Sequence, residues 1–363
     1  MAGLEFSVPY NNDPETLTEL FKLKGLNGNC IREVYLSGPQ QYSAAGRIVE
    51  EMDEVKFVSI VNRIHKEGLR VNLIMNPTCE GTEWYKADTI KAKIDFINRM
   101  HSDYGVEAVT IANPIYVREV RKRIPGIEIC ASVLADIDCV QRAAIFTEAG
   151  ANIITPDANI NRDLKLLKRI KEITNTKIKL MVNEGCLYKC PFRKFHFNYI
   201  SHKSKNLGDI EDDVFFFNCS RVTANDHTQI LKSGWIRPED TSKYSEITNS
   251  FKIVGRERTG SLVIRATKAY LNESWDGDLL DIMCSSLNKY GLDFGAHLYN
   301  KSLSVNGFFE KITSCDRSCA NCSFCDNLAS KLIKLKVLTK GKLEDLGLTE
   351  ILNQLEKQSG LHG

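Results

Sequence analysis

The chain has 363 residues, and its 48 basic and 46 acidic side chains leave a formal net charge of only +2. That balance provides no large basic field, so charge neither excludes nor suggests nucleic-acid binding, and the length suits one large domain with a smaller appendage. No apolar run approaches the roughly 20 residues that span a bilayer, and no secretory leader opens the sequence. The expectation is a cytoplasmic protein with no membrane partner, and twelve cysteines in that setting point to metal, iron–sulfur or redox chemistry rather than disulfides.

Short apolar strands and amphipathic helices alternate along the chain. Leu4–Val8 is a first strand, and Pro14 opens a helix to about Lys24. Cys30–Leu36 is the second strand, followed by a long loop carrying Gln40, Gln41, Tyr42 and Arg47 and a helix over 55–67. Leu69–Met75 is the third, closed by Asn76-Pro77-Thr78-Cys79, with a helix over 88–102. Val106–Ile111 ends in Asn113-Pro114 and a helix over 117–123, and Ile127–Val133 is the fifth strand. Ala151–Thr155 runs into Pro156-Asp157, and the helix at 162–173 sets Leu166, Leu167, Ile170 and Ile173 on one face with lysines opposite. The alternating run Lys177–Val182 is strand seven, and Phe251–Val254 is strand eight, with a helix over 261–271.

Eight strand–helix alternations in about 275 residues predict a TIM-type (β/α)8 barrel within α/β architecture, followed by a smaller Cys-rich C-terminal region. The domain division expected is 1–275 for the barrel, with a Cys/His-rich insertion at 183–250, and 276–363 for a Cys-rich helical region. An open doubly wound sheet is the alternative, but no Gly-x-Gly-x-x-Gly follows the first strand. In a barrel, Asn76, Asn113, Asp157, Cys186 and Arg256, all just beyond strand ends, are expected around one cavity; for any single residue a plain turn role competes.

Two stretches carry chemistry. The first leaves strand seven as Asn183-Glu184-Gly185-Cys186-Leu187-Tyr188-Lys189-Cys190-Pro191, continues through His196, Asn198 and His202, and reaches Cys219. Three thiols and two imidazoles at a strand exit suit cluster or metal ligation, although cysteines and aromatics also simply pack. The histidines are expected to act on substrate or cluster surroundings, since thiolates outcompete imidazole for iron–sulfur cores. The second stretch is Cys315-x3-Cys319-x2-Cys322-x2-Cys325, four thiols without a histidine, suited to iron–sulfur ligation with zinc as the alternative. Cys30, Cys130, Cys139 and Cys284 sit in apolar contexts and are expected in the core.

Gly185-Cys186-Leu187 after the seventh strand, Trp235-Ile236-Arg237-Pro238-Glu239-Asp240 and Phe251-Lys252-Ile253-Val254-Gly255-Arg256 resemble peptidase family U32, the collagenase-like peptidases. That family includes anaerobic ubiquinone-hydroxylation and RNA-hydroxylation proteins. The resemblance implies a TIM-type barrel and a 4Fe–4S cluster, with Cys186, Cys190 and Cys219 in the cluster-binding region. Cys186-x3-Cys190-Pro191 departs from the family's longer cysteine spacing, so the fourth ligand stays open between Cys79 and a cysteine of the C-terminal string, or an open iron site.

The expectation is an iron–sulfur enzyme doing oxygen-independent redox or hydroxyl-transfer chemistry on a small-molecule, RNA or peptide substrate. His196, His202 and Arg256 are its catalytic candidates. Cys186, Cys190, Cys219, Cys315, Cys319, Cys322 and Cys325 are its metal ligands, in one or two 4Fe–4S clusters. An electron donor and a homo- or hetero-dimer partner are also expected. A collagenase-like peptidase and a non-catalytic, metal-stabilised partner protein are the alternatives.

Overall fold

The computed structural model describes residues 3–205, 214–286 and 296–335. Its centre is a closed barrel of eight parallel strands in sequence order. They are β1 Glu5–Pro9, β2 Cys30–Ser37, β3 Arg70–Met75, β4 Ala108–Ile111, β5 Glu128–Ala131, β6 Ile153–Ile154, β7 Lys177–Met181 and β8 Ser250–Lys252. Leu36 pairs with Leu73 and Leu73 with Val109, and Phe6 against Phe251 closes the ring between first and last strands.

The surrounding helices begin where the sequence supplies caps. Asp13 accepts from Glu15 N and precedes Pro14 at the head of α1 (Pro14–Lys22), and Asp53 accepts from Lys56 N before α2 (Glu54–Lys66). Next come α3 (Ala87–Tyr104) and α4 (Pro114–Arg123), the latter capped by Asn113. α6 (Leu164–Thr174) is capped by Asp163 and buries Leu167 and Ile170, while Ile173, expected on the same face, is 55% exposed. The sequence pattern predicts no helix between β5 and β6, yet α5 (Val140–Glu148) is there. Its N-cap Cys139 makes no side-chain bond, and apolar Ile145 faces outward beside buried Phe146, so neither cap nor stripe marks it.

The barrel interior is polar. Ser7 of β1 donates to Glu33 of β2 at 2.5 Å, Asn72 of β3 donates to the same Oε1 at 3.1 Å, and Thr110 of β4 donates to Asn72 at 2.8 Å. Lys179 of β7 completes the network with an ion pair to Glu33, both side chains almost fully buried. Side chains from five strands can meet only inside the ring. Outside it, Val34, Leu36, Val71, Leu73 and Val109 pack under the helices in one apolar cluster.

Beyond β7 the chain forms α7 (Arg193–Lys203), α8 (Val214–Asn225) and α9 (Thr228–Lys232) before β8, and α10 (Gly260–Leu271) follows that strand. A two-stranded antiparallel pair, β9 (Ala296–Leu298) with β10 (Ile333–Leu335), frames α11 (Asn300–Ser304), α12 (Phe308–Thr313) and α13 (Phe324–Leu332). Leu298, Leu303, Phe308, Ile312 and Leu328 join the same buried cluster as the barrel, and Phe308 stacks on Trp235 at 5.2 Å. Helix was expected from Leu328 to Leu355; it ends at Leu332 and gives way to β10, and 336–355 lie outside the described residues. Of the cysteines expected in the core, Cys130 and Cys284 are buried, Cys139 is half-buried, and Cys30 is exposed at the first position of its strand.

Candidate functional site

The segment after β7 is fixed to the barrel rim by backbone. Asn183 accepts from Val254 N at 2.8 Å and donates to the carbonyls of Val254 and Ile282 at 3.2 and 3.0 Å. The returning chain lies alongside, with Cys284 N bonded to Asn183 O at 2.8 Å and Gly185 N to Cys284 O at 2.9 Å. A side chain at Gly185 would put its Cβ 2.8 Å from Ser285 Cβ, so only glycine lets the two segments approach this closely. The Cys186–Cys190 turn closes through Cys190 N to Leu187 O at 3.4 Å. Lys189 is left-handed (φ 49°), and its amide is held by Asn159 Oδ1 at 2.8 Å.

This turn forms part of the wall of a cavity of about 1120 Å³ at the C-terminal ends of the strands. Cys186, Cys190, Cys219 and Cys284 all line it, with His196 and Arg256. Arg47 spans the mouth, contacting Glu184 at 3.0 Å and Glu257 at 3.2 Å. Two guanidiniums, those of Arg47 and Arg193, lie over the Phe197 ring, each 5.0 Å from its centre. Burial alone would raise the Glu257 carboxyl, but Arg47, Arg258 and Arg256 outweigh it and hold the group at about 2. Burial pushes the Cys186 thiol well above its ordinary range, and Glu184, whose Oε1 accepts from Sγ at 3.2 Å, pushes the same way. Burial likewise takes Cys284 to about 12. Arg193 is buried, and its Nε and Nη2 have no hydrogen-bond partner among the described residues; its nearest carboxylate, Asp136, is 3.9 Å away.

Of the strand-end residues expected around one cavity, Cys186 and Arg256 line it. Asn76 instead binds Gly46 N and Ser132, Asn113 caps α4, and Asp157 caps the turn at Ala158–Ile160. Each is spent on backbone amides or a neighbouring hydroxyl at the rim. His202 is not among the lining residues, and its Nε2 is buried without a hydrogen-bond partner among the described residues. Cys79, one candidate for a fourth ligand, accepts from Gly81 N at 3.5 Å and does not line the cavity. Sequence reasoning passed over Arg193 and Glu257, and assigned Cys284 to the core. A fourth thiol on the wall was visible only as a cysteine in an apolar context. The other four sequence-predicted ligands, Cys315, Cys319, Cys322 and Cys325, stand together around a second, small cavity of about 40 Å³.

The model of peptidase family U32 matches residues 19–277. A protein of Methanocaldococcus jannaschii described as an uncharacterized protease is 31% identical over 338 residues, spanning 91% of this chain and 99% of that relative. The chain belongs to peptidase family U32. A solved U32 peptidase, 17% identical, superimposes with a TM-score of 0.52 over 70% of this chain and 93% of its own, a likeness of fold. The eight-stranded barrel expected from the sequence is therefore a U32 barrel, and among the described residues no helix is long and apolar enough to cross a membrane.

The cluster that U32 resemblance implies can be weighed against the donors present. Four thiols and a buried guanidinium with two unsatisfied donors face or flank one cavity, a donor set suited to an anionic thiolate centre. No three His, Cys, Asp or Glu side chains among the described residues are close enough to grip a single metal ion.

Proposed function

We propose that this U32 chain is an iron–sulfur enzyme carrying out oxygen-independent redox or hydroxyl-transfer chemistry on an organic, RNA or peptide substrate at the barrel mouth. The supporting observation is the gathering of four thiols on one cavity at the C-terminal ends of the strands, the face where barrels of this type place their chemistry. Cys186, Cys190 and Cys219 would hold the cluster, with Cys284 the fourth thiol on the same wall. Such a group supplies one-electron chemistry that no side chain offers.

The chain's own residues then have distinct work. The unsatisfied Arg193 donors offset the negative charge of the thiolates, and Arg47 fixes Glu184 and Glu257 at the rim. His196, stacked on Phe215 at 5.4 Å, faces the cavity and can give or take a proton at a substrate heteroatom. Arg256, buried and donating to Ser37, presents its guanidinium to a carbonyl or anionic oxygen. Phe192 and Phe215 offer flat apolar surface to a ring or base.

A thiol peptidase, the reading the relative's description invites, needs a cysteine activated by an imidazole. The Cys186 thiol donates to a carboxylate instead, which opposes thiolate formation in a metal-free site. Full-length chain purified without oxygen is expected to be brown, with iron and sulfide in about equal amounts. Cys186→Ser should remove about four irons per chain while circular dichroism stays unchanged. Unaltered iron in Cys186→Ser, or peptide hydrolysis by iron-free chain that this substitution abolishes, would overturn the proposal.

A further inference from the structure

We infer that the C-terminal cysteine string forms a second iron–sulfur site, separate from the barrel mouth and neutralised by a wall of cations. Three observations carry it. Cys315, Cys319, Cys322 and Cys325 come from a turn, a short 3-10 segment and the head of α13, yet all four line one cavity. Cys319-x2-Cys322-x2-Cys325 is the close spacing by which a single loop wraps a cubane.

The second observation is charge. Arg162, Lys232, Lys311 and Arg317 line the same small cavity, and no Asp or Glu does. Four thiolates around a cluster core or a dication leave a dianion, which such a wall would balance.

The third is Arg162 itself. It is 2% exposed, with Nε donating to Trp235 O at 3.1 Å and Nη1 to Leu231 O at 2.6 Å, and its guanidinium lies 4.4 Å from the Trp235 ring centre. Among the described residues its Nη2 has no hydrogen-bond partner and no carboxylate lies within ion-pair distance. A buried cation without a counter-ion is costly, and a dianionic centre in the adjoining cavity would supply one.

The two cavities share a wall: Cys186 and Cys190 face the first, while Tyr188 of the same turn faces the second, its ring 5.4 Å from the Arg317 guanidinium.

The test compares full-length wild type, C319S/C322S and Cys186→Ser, each reconstituted with iron and sulfide without oxygen and assayed for iron, sulfide, zinc and electron paramagnetic resonance after reduction. Cys319 and Cys322 are exposed, so serine there leaves the packed core alone. C319S/C322S should lose about four irons and one of two reduced-cluster signals, and Cys186→Ser should keep those irons and that signal. If Cys186→Ser loses no iron while C319S/C322S loses all of it, this site stands and the barrel-mouth reading falls. Zinc rather than iron lost with C319S/C322S, unchanged iron in that variant, or loss of all iron in both variants would overturn the inference.

Discussion

Lys179→Met should cost the barrel about 3–5 kcal/mol, read as a fall in the urea midpoint of unfolding, because it strands the Glu33 carboxylate among five strands. Glu33 is 1% exposed, and Lys179 is its only ionic partner among the described residues. The pH dependence has a definite sign. Burial alone would raise the Glu33 carboxyl, but the Lys179 ammonium and hydrogen bonds from Lys179, Ser7 and Asn72 hold it at about 2. A depressed carboxylate contributes fully above its ordinary value of 4.5 and loses that contribution as pH falls through about 2. Burial works to lower Lys179, and Glu33 outweighs it, so the lysine's share persists below its ordinary 10.5 and fades only above that. Lys179→Met should therefore lose the stability step between 4.5 and 2. Adding Glu33→Gln should restore most of the stability, since the buried carboxylate that lost its cation is then gone. A single variant within 1 kcal/mol of wild type, on the order of a surface substitution, would show that the pair does not hold the interior together.

Arg47→Met should open the mouth, at a cost of about 2–3 kcal/mol, less than the interior pair because the Arg47 side chain is 20% exposed. It removes one cation from between two carboxylates, Glu184 and Glu257, and from the face of Phe197. Glu257 loses the largest charge that holds it at about 2, so its carboxyl should rise toward the ordinary 4.5. The stability that wild type keeps down to that low pH should then disappear at higher pH in the variant, which urea midpoints across the acid range would reveal. Arg47→Lys should restore little, because one ammonium cannot bridge two carboxylates as a planar fork does. Full recovery by lysine would mean that only net charge matters at the mouth.

The barrel was legible because its strands are local. Lys177–Met181 alternates and stops at Glu184-Gly185, and Pro14 marks a helix start that the structure keeps, whereas the helix expected over 117–123 already begins at Pro114. The polar interior was not, because Ser7, Glu33, Asn72, Thr110 and Lys179 interrupt five separate strands, and only closure of the ring brings them together. Strand-end position alone could not separate Cys186 and Arg256, which reach the cavity, from Asn113 and Asp157, which cap backbone a few residues on. Arg47 lies 137 residues before the Glu184 it binds. Cys284 reaches the wall by pairing with a segment about 100 residues earlier, for which an apolar neighbourhood in the sequence gives no sign.

The central claim is that the mouth thiols are ligands rather than nucleophiles, and alkylation mapped by mass spectrometry tests it most directly. In full-length chain purified without oxygen, Cys186, Cys190 and Cys219 should resist iodoacetamide until iron is removed by a chelator, and then label together. Equal labelling before and after chelation would contradict the account.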